Sequence, residues 1–184
     1  MKRVLLVAAV LAATTATASA GGFVGLGIGG EAGVSSDSSL AADGRSGRLE
    51  VGYSFGRLSV EGLVSRFDLY NTTDYAGYTD TSLGIAATFG VPLSAGFGVY
   101  GRGGLQHTTL SVDESASRAD RHYNGSGLLF GGGFDYHLPL AATNLALFVD
   151  YTITTSSLTI DELPGIEAYQ FTTRNWMLGA KLGF

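Results

Sequence analysis

The sequence predicts an all-β protein: an eight-stranded antiparallel up-and-down β-barrel that crosses a membrane, with four long loops at one end and three short turns at the other. Three observations predict it. Hydrophobic residues recur with a period of two along nearly the whole chain after residue 20. The links between the alternating stretches are short and long by turns. The apolar half of the alternation is bulky on every stretch, whereas an eight-stranded barrel leaves an interior only wide enough to be filled by side chains.

The first twenty residues stand apart. Lys2 and Arg3 give a basic start, Val4 to Ala13 is an unbroken apolar run, and Ala18 and Ala20 supply a small-x-small cleavage pattern. This predicts a secretory signal peptide over residues 1–20, followed by a single barrel domain over residues 21–184. The run is shorter than the ~18 residues of a spanning helix. With no Cys in the chain, lipidation after the cleavage point and disulfides are both excluded. Losing Lys2 and Arg3 from the 11 bases leaves 9 against 16 acidic residues, a formal charge of −7 on the mature chain. That balance argues against a nucleic-acid partner. The chain is also charge-poor at 15%, against roughly 25% for an average soluble domain.

The alternation defines the strands in order. Val24, Leu26 and Ile28 alternate with Gly25, Gly27, Gly29 and Glu31. Leu49, Val51, Tyr53 and Phe55 alternate with Arg48, Glu50, Gly52 and Ser54. After a Gly56–Arg57 turn, Leu58, Val60 and Val64 oppose Ser59, Glu61 and Ser65. Leu83, Ile85, Ala87, Phe89 and Val91 oppose Asp80, Ser82, Gly84, Ala86 and Thr88. The fifth strand sets Phe97, Val99 and Leu105 against Gly98, Tyr100, Arg102, Gly104 and Gln106. The sixth sets Leu128, Phe130, Phe134, Tyr136 and Leu138 against Gly127, Gly131, Gly133, Asp135 and His137. The seventh sets Leu145, Leu147, Val149, Tyr151 and Ile153 against Ala146, Asp150, Thr152 and Thr154. The last sets Trp176, Leu178, Ala180, Leu182 and Phe184 against Asn175, Met177, Gly179, Lys181 and Gly183. Short links follow strands two, four and six. Long polar links, centred on "VSSDSSLAADGRSG", "DLYNTTDYAG", "SVDESASRADRHYNG" and "TSSLTIDELPGIEA", follow strands one, three, five and seven.

Which face points inward follows from volume. Eight rows of Leu, Phe and Tyr would overfill the interior, whereas Gly, Ala, Ser and Thr with a few charges fit it. The bulky face therefore points outward into lipid, and closure satisfies every backbone group there. A soluble lipocalin-like barrel would place Leu128, Phe130 and Phe134 inside instead. Phe55, Phe89, Phe97, Tyr136 and Phe184 fall near the short turns, and Tyr151 and Trp176 towards the long loops, as two interfacial aromatic girdles. Arg66 and Arg174, outward by parity, can reach lipid headgroups.

A signal peptide, eight alternating strands, short turns, long loops and a terminal Phe together resemble the small eight-stranded outer-membrane β-barrels of Gram-negative bacteria, the OmpA/OmpX-type and opacity-protein-like group. The resemblance covers the whole mature chain. It implies location in the bacterial outer membrane, contact with outer-membrane lipid and lipopolysaccharide, a monomeric state and insertion by the barrel assembly machinery. In that family the last strand carries an assembly signal, which Gly179, Leu182 and Phe184 match; Met177 stands where the family usually has a polar residue.

Parity places nine charges in the lumen: Glu31, Arg48, Glu50, Glu61, Asp80, Arg102, Asp135, Asp150 and Lys181. Charges in a narrow lumen must pair or meet trapped water. A polar plug is the expected arrangement, with Arg102 as a hub bound to Glu50 or Glu61; the alternative is a very small, porin-like, cation-leaning conductance. The expected role is structural or surface interaction, without enzymatic activity, metal or cofactor. The G-x-G-x-x-G at Gly25, Gly27 and Gly30 lacks the following helix of a dinucleotide site. An alternative class is a lipid-modifying barrel enzyme, such as a lipid A deacylase or acyltransferase. That class requires His107 or His122 to meet a Ser and an acid near the loop-side rim. The loop acids Asp113, Glu114, Asp161, Glu162 and Glu167 lack EF-hand spacing.

Overall fold

The computed structural model describes residues 21–35, 43–70, 77–113, 121–138, 144–160 and 169–184. The expected signal peptide and the centres of the four long links lie outside the described residues. Eight strands, β1 (Gly21–Ser35), β2 (Asp43–Phe55), β3 (Leu58–Tyr70), β4 (Gly77–Pro92), β5 (Phe97–Asp113), β6 (Arg121–Leu138), β7 (Asn144–Ile160) and β8 (Tyr169–Gly183), form a closed barrel in sequence order. β1 pairs antiparallel with β8, so no strand edge is left open. Opposed residues followed around the barrel from Phe23, through Gly52, Glu61, Ala86, Gly104, Leu129, Thr154 and Thr173, end at Val34, eleven residues further along β1. A bulge between Gly30 and Gly33 takes up one of them. This stagger tilts the strands and fixes which lumen residues share a level.

The short turns are built by local chemistry. Gly56 has φ +78° and Arg57 is not left-handed, the pattern of a type II′ hairpin with Gly at its first central position. In the β4–β5 link, Ala95 and Gly96 both have positive φ, and the Leu93 amide donates to the Phe97 carbonyl at 2.7 Å.

The outward face is apolar over one continuous band. Leu26, Ile28, Leu83, Ile85, Leu105, Phe130, Phe134, Trp176 and Leu178 are all exposed, Ile28 at 73%. On β4 to β8 this band runs over residues 83–91, 97–105, 128–136, 145–153 and 176–184. Each is nine residues, which matches the ~9–11 a tilted strand needs to cross a bilayer. Leu128, Phe130 and Phe134 face outward, which excludes the lipocalin-like arrangement. Tyr53 packs on Phe55, Phe97 on Tyr136, and Tyr151 on Trp176, with ring centroids 4.7–4.8 Å apart.

The strands differ from expectation in two ways. They run on past the band into segments expected to be loop, including Asp43–Gly47, Ser111–Asp113 and Arg121–Gly125. In this upper level the outward residues are polar: Arg45, Arg66, Thr81, His107, Ser126, Thr155, Ser157 and Arg174. The inward residues include Phe67, Leu110, Leu158 and Phe171, all buried. The alternation continues with its sense reversed, because above the band the outside is water. The lumen also holds more bulk than Gly, Ala, Ser and Thr: Phe23, Leu63, Tyr100, Leu129, Phe148 and Met177 are buried inside it. Neighbouring glycines make the room. A Cβ on Gly25 would stand 2.6 Å from the Glu50 carboxylate, and one on Gly179 would collide with the Phe148 ring.

Candidate functional site: the charged lumen

The lumen centre is an ionic cluster of three bases and three acids contributed by five strands. Arg48 and Glu50 come from β2, Glu61 from β3, Arg102 from β5, Asp150 from β7 and Lys181 from β8. Arg102 is the hub. Its Nη1 lies 3.5 Å from Glu50 and 3.3 Å from Glu61, and its Nη2 lies 2.8 Å from Asp150. Arg48 pairs with Asp150 and lies 3.5 Å from Glu50. Lys181 Nζ reaches Glu50 at 2.8 Å and Glu61 at 3.8 Å. Glu50, Glu61 and Asp150 are 0–1% exposed and Arg48 and Arg102 4–5%, so bulk water screens almost none of these pairs. Three positive and three negative groups balance within the cluster.

Neutral donors complete it. The Thr88 hydroxyl donates to Glu61 at 2.7 Å, the Tyr100 hydroxyl to Asp150 at 3.2 Å, and Arg48 donates to Thr152 at 3.3 Å. Aromatic rings wall the cations. Lys181 Nζ lies 5.1–5.3 Å from the centroids of Phe23, Tyr100 and Phe148, and the guanidinium groups of Arg48 and Arg102 stand over Phe148 and Tyr100. Each such contact adds roughly 0.5–2 kcal/mol where the cation is desolvated. Sequence parity missed Phe23 and Phe148 as members. The signal available was that both sit on the same parity as Gly25 and Asp150.

Above the cluster lies a layer of hydroxyls and amides. Gln106 donates to Thr108 at 3.0 Å and to Ser156 at 3.3 Å, Thr108 and Ser156 share a bond at 3.1 Å, and the Asn175 amide donates to Ser46 at 3.0 Å. A small cavity opens here, lined among others by Arg48, Gln106, Thr152 and Asn175. The remaining expected lumen charges stand apart. Asp80 is buried higher up, accepting from Ser82 at 2.9 Å, with no base beside it among the described residues. Asp135 lies towards the short turns, 3.7 Å from His137. The side chain of Glu31 lies outside the described residues.

The rim histidines each meet a serine on the neighbouring strand. His107 Nδ1 lies 3.3 Å from Ser126 Oγ, and His122 Nδ1 lies 3.1 Å from Ser111 Oγ. Among the described residues no acid touches either pair. No cluster of His, Asp or Glu suited to a metal ion occurs among the described residues. Gly25, Gly27 and Gly30 lie on β1, and Gly25 and Gly27 border Glu50 and Phe148.

An outward lipid band around a polar lumen with a balanced ionic cluster at its centre is the architecture of a protein that lives in a bilayer. The family model for the outer membrane protein beta-barrel domain matches residues 5–184. The chain belongs to this family. Its structure is similar to Neisserial surface protein A, with 21% identity over 90% of this chain and 99% of that one, and a TM-score of 0.66. It is also similar to Ail, the attachment invasion locus protein of Yersinia pestis, in complex with the heparin analogue sucrose octasulfate (18% identity, 90% and 99% covered, TM-score 0.58). A third likeness is to the outer membrane protein OprG of Pseudomonas aeruginosa (17% identity, 90% and 96% covered, TM-score 0.53). No curated protein matches significantly by sequence. The protein is thus an outer-membrane β-barrel of the small eight-stranded kind, located in the bacterial outer membrane.

Proposed function

We propose that this protein is a closed-lumen surface barrel: a rigid membrane scaffold whose outward-facing end carries its interactions, without conduction or catalysis. The observation that carries this reading is the ionic cluster. Arg102 alone bridges carboxylates from three strands, so opening a path past it would separate several fully buried pairs at once. Removing one partner of a buried pair costs about 3–5 kcal/mol, because the other charge is left uncompensated. The test is single-channel recording on the protein refolded into planar lipid bilayers. A silent membrane is expected; steady cation-selective steps would replace this reading with the very small porin.

The lipid-modifying alternative rests on the two rim pairs, His107–Ser126 and His122–Ser111. Among the described residues no acid orients either imidazole, so neither pair has the third member that activates a serine nucleophile. Incubation with lipid A should release no fatty acid above the level of a Ser111→Ala/Ser126→Ala double variant.

We also infer, from the family resemblance, that Gly179, Leu182 and Phe184 form the address read by the barrel assembly machinery, and that the folded protein is a monomer. In support, Phe184 is 79% exposed, and its amide donates to the Gly22 carbonyl at 2.9 Å beside β1. Deleting Phe184 should impair outer-membrane insertion more than secretion, measured by fractionation of periplasm and membrane; equal insertion would remove this role.

A further inference from the structure

Among the described residues the outward face turns polar at one level on β2 to β8, but the two halves of that level differ. On β4 to β7 the described residues just above the band are Thr81, His107, Ser126 and Thr155, followed by Thr79, Thr109, Asn124 and Ser157. On β8 they are Arg174 and then Thr172, on β2 Gly47 and then Arg45, and on β3 Arg66 and then Asp68, so each of these three strands brings an arginine to this level. The mature chain has 9 bases against 16 acids. Three of those bases are consumed in the lumen cluster, and three more stand on this half of the rim, from β8 to β3. Among the described residues only Arg66 of these three has an acidic partner, Asp68 at 3.1 Å; Arg66 is exposed and Asp68 half-buried. Arg45 and Arg174 meet no carboxylate among the described residues.

The register brings these arginines to one patch. Arg45 is opposite Gly30 on β1 and Asp68 on β3; Arg66 is opposite Gly47 on β2; Arg174 is opposite Gly33 on β1. Between them, Gly30 and Gly47 face outward, and a Cβ on either would meet nothing within 4 Å. They leave a shallow furrow that no packing partner explains, opening downward onto Ile28 and Leu49. Trp176, directly opposite Gly30 and packed at a tilt against Tyr151, borders it. The patch therefore joins an apolar floor at the edge of the lipid band to three guanidinium groups immediately above it.

We propose that this face binds the phosphate-bearing headgroup of an outer-leaflet lipid, with an acyl chain lying along the Gly30–Gly47 furrow. Charge complementarity selects the class: guanidinium groups grip phosphate bidentately, on stems long enough to lie along apolar surface. Position selects lipid over a soluble anion. The arginines point sideways at the membrane boundary, and the apolar furrow has use only for a ligand that brings hydrocarbon. This site is independent of whether the lumen conducts.

Trp176 is the only tryptophan of the chain and lies at the patch, so it reports occupancy directly. The experiment is energy transfer from Trp176 to a dansyl-labelled, phosphorylated lipid A, present as a minor component of phosphatidylcholine vesicles holding the refolded protein. Dansyl-phosphatidylcholine is the comparison. Transfer to the phosphorylated lipid is expected to exceed that to the zwitterionic one. Its apparent affinity should fall about fivefold per arginine changed to Gln in Arg45→Gln, Arg66→Gln and Arg174→Gln, the equivalent of ~1 kcal/mol each. Arg174→Lys should retain most of the affinity. Equal transfer to the two lipids, or an unaltered preference in the triple variant, would overturn the proposal. Complete displacement by inorganic phosphate or by a soluble polysulfated sugar would assign the patch to a soluble anion and overturn it as well. Gel mobility of unheated samples verifies the barrel; should the triple variant not fold, the exposed single substitution Arg174→Gln carries the same test.

Discussion

The lower and upper levels of this barrel obey the same alternation with opposite sense. At membrane level Leu26, Leu83, Phe130 and Leu178 point outward, and Glu50, Glu61, Arg102 and Asp150 point inward. A few residues further along the same strands, Arg66, Thr81, Ser126 and Arg174 point outward, and Phe67, Leu110, Leu158 and Phe171 are buried inside. Nothing in backbone geometry changes at the crossover, because the ladder pairs run through it without interruption on β2 to β7. What changes is the solvent. The lower level hides polar groups from lipid, and the upper level hides apolar groups from water. The sense of a period-two pattern thus reports the medium outside the sheet, and the row where it flips marks the membrane surface.

The contrast can be broken at either level. The largest effect is expected in the lower lumen. Arg102→Ala strands Glu50, Glu61 and Asp150 with only Arg48 and Lys181 between them, and should destabilise the barrel by about 3–5 kcal/mol in denaturant unfolding from lipid vesicles. An unchanged midpoint would remove its role as hub. Leu158→Ala, in the upper interior at 2% exposure, should cost about 2–5 kcal/mol, as in a soluble core. The matching lower-level change, Leu26→Ala, exchanges one lipid contact for another and should cost clearly less; equal losses would contradict the inversion. Leu178→Arg places a charge in the lipid band and should cost about 2–4 kcal/mol. Ser157→Arg, on the outward face of the upper level, should stay within about 0.5 kcal/mol of the parent protein.

Much of the lower level was legible in the sequence, because parity alone assigns a face. The outward rows, the inward positions of Arg48, Glu50, Glu61, Arg102, Asp150 and Lys181, and the order of the strands all follow from it. Parity does not assign height. Arg48 on β2 meets Asp150 on β7 across the lumen only because of the stagger of the whole barrel, which no local pattern encodes. For the same reason Asp80 and Asp135, on the inward face like the others, lie above and below the cluster instead of within it. Phe23 and Phe148 escaped notice because bulk in the lumen is admissible only where an adjacent Gly25, Gly27 or Gly179 gives way to it. The far ends of the upper level, Asp43–Gly47 and Arg121–Gly125 among them, look like loop in the sequence because their polar residues fall on both parities, and a strand leaving the membrane must turn polar on its outer face.

The inversion itself can be measured on one strand. The chain has no Cys, so single cysteines can be placed and labelled one at a time at the outward positions of β7: 147, 149, 151, 153, 155, 157 and 159. Fluorophores at these sites should be quenched by brominated lipid up to Ile153, and by an aqueous quencher from Thr155 onward. Lipid quenching that continues through Ser157 and Thr159, or water access at Val149, would contradict a membrane surface at this row.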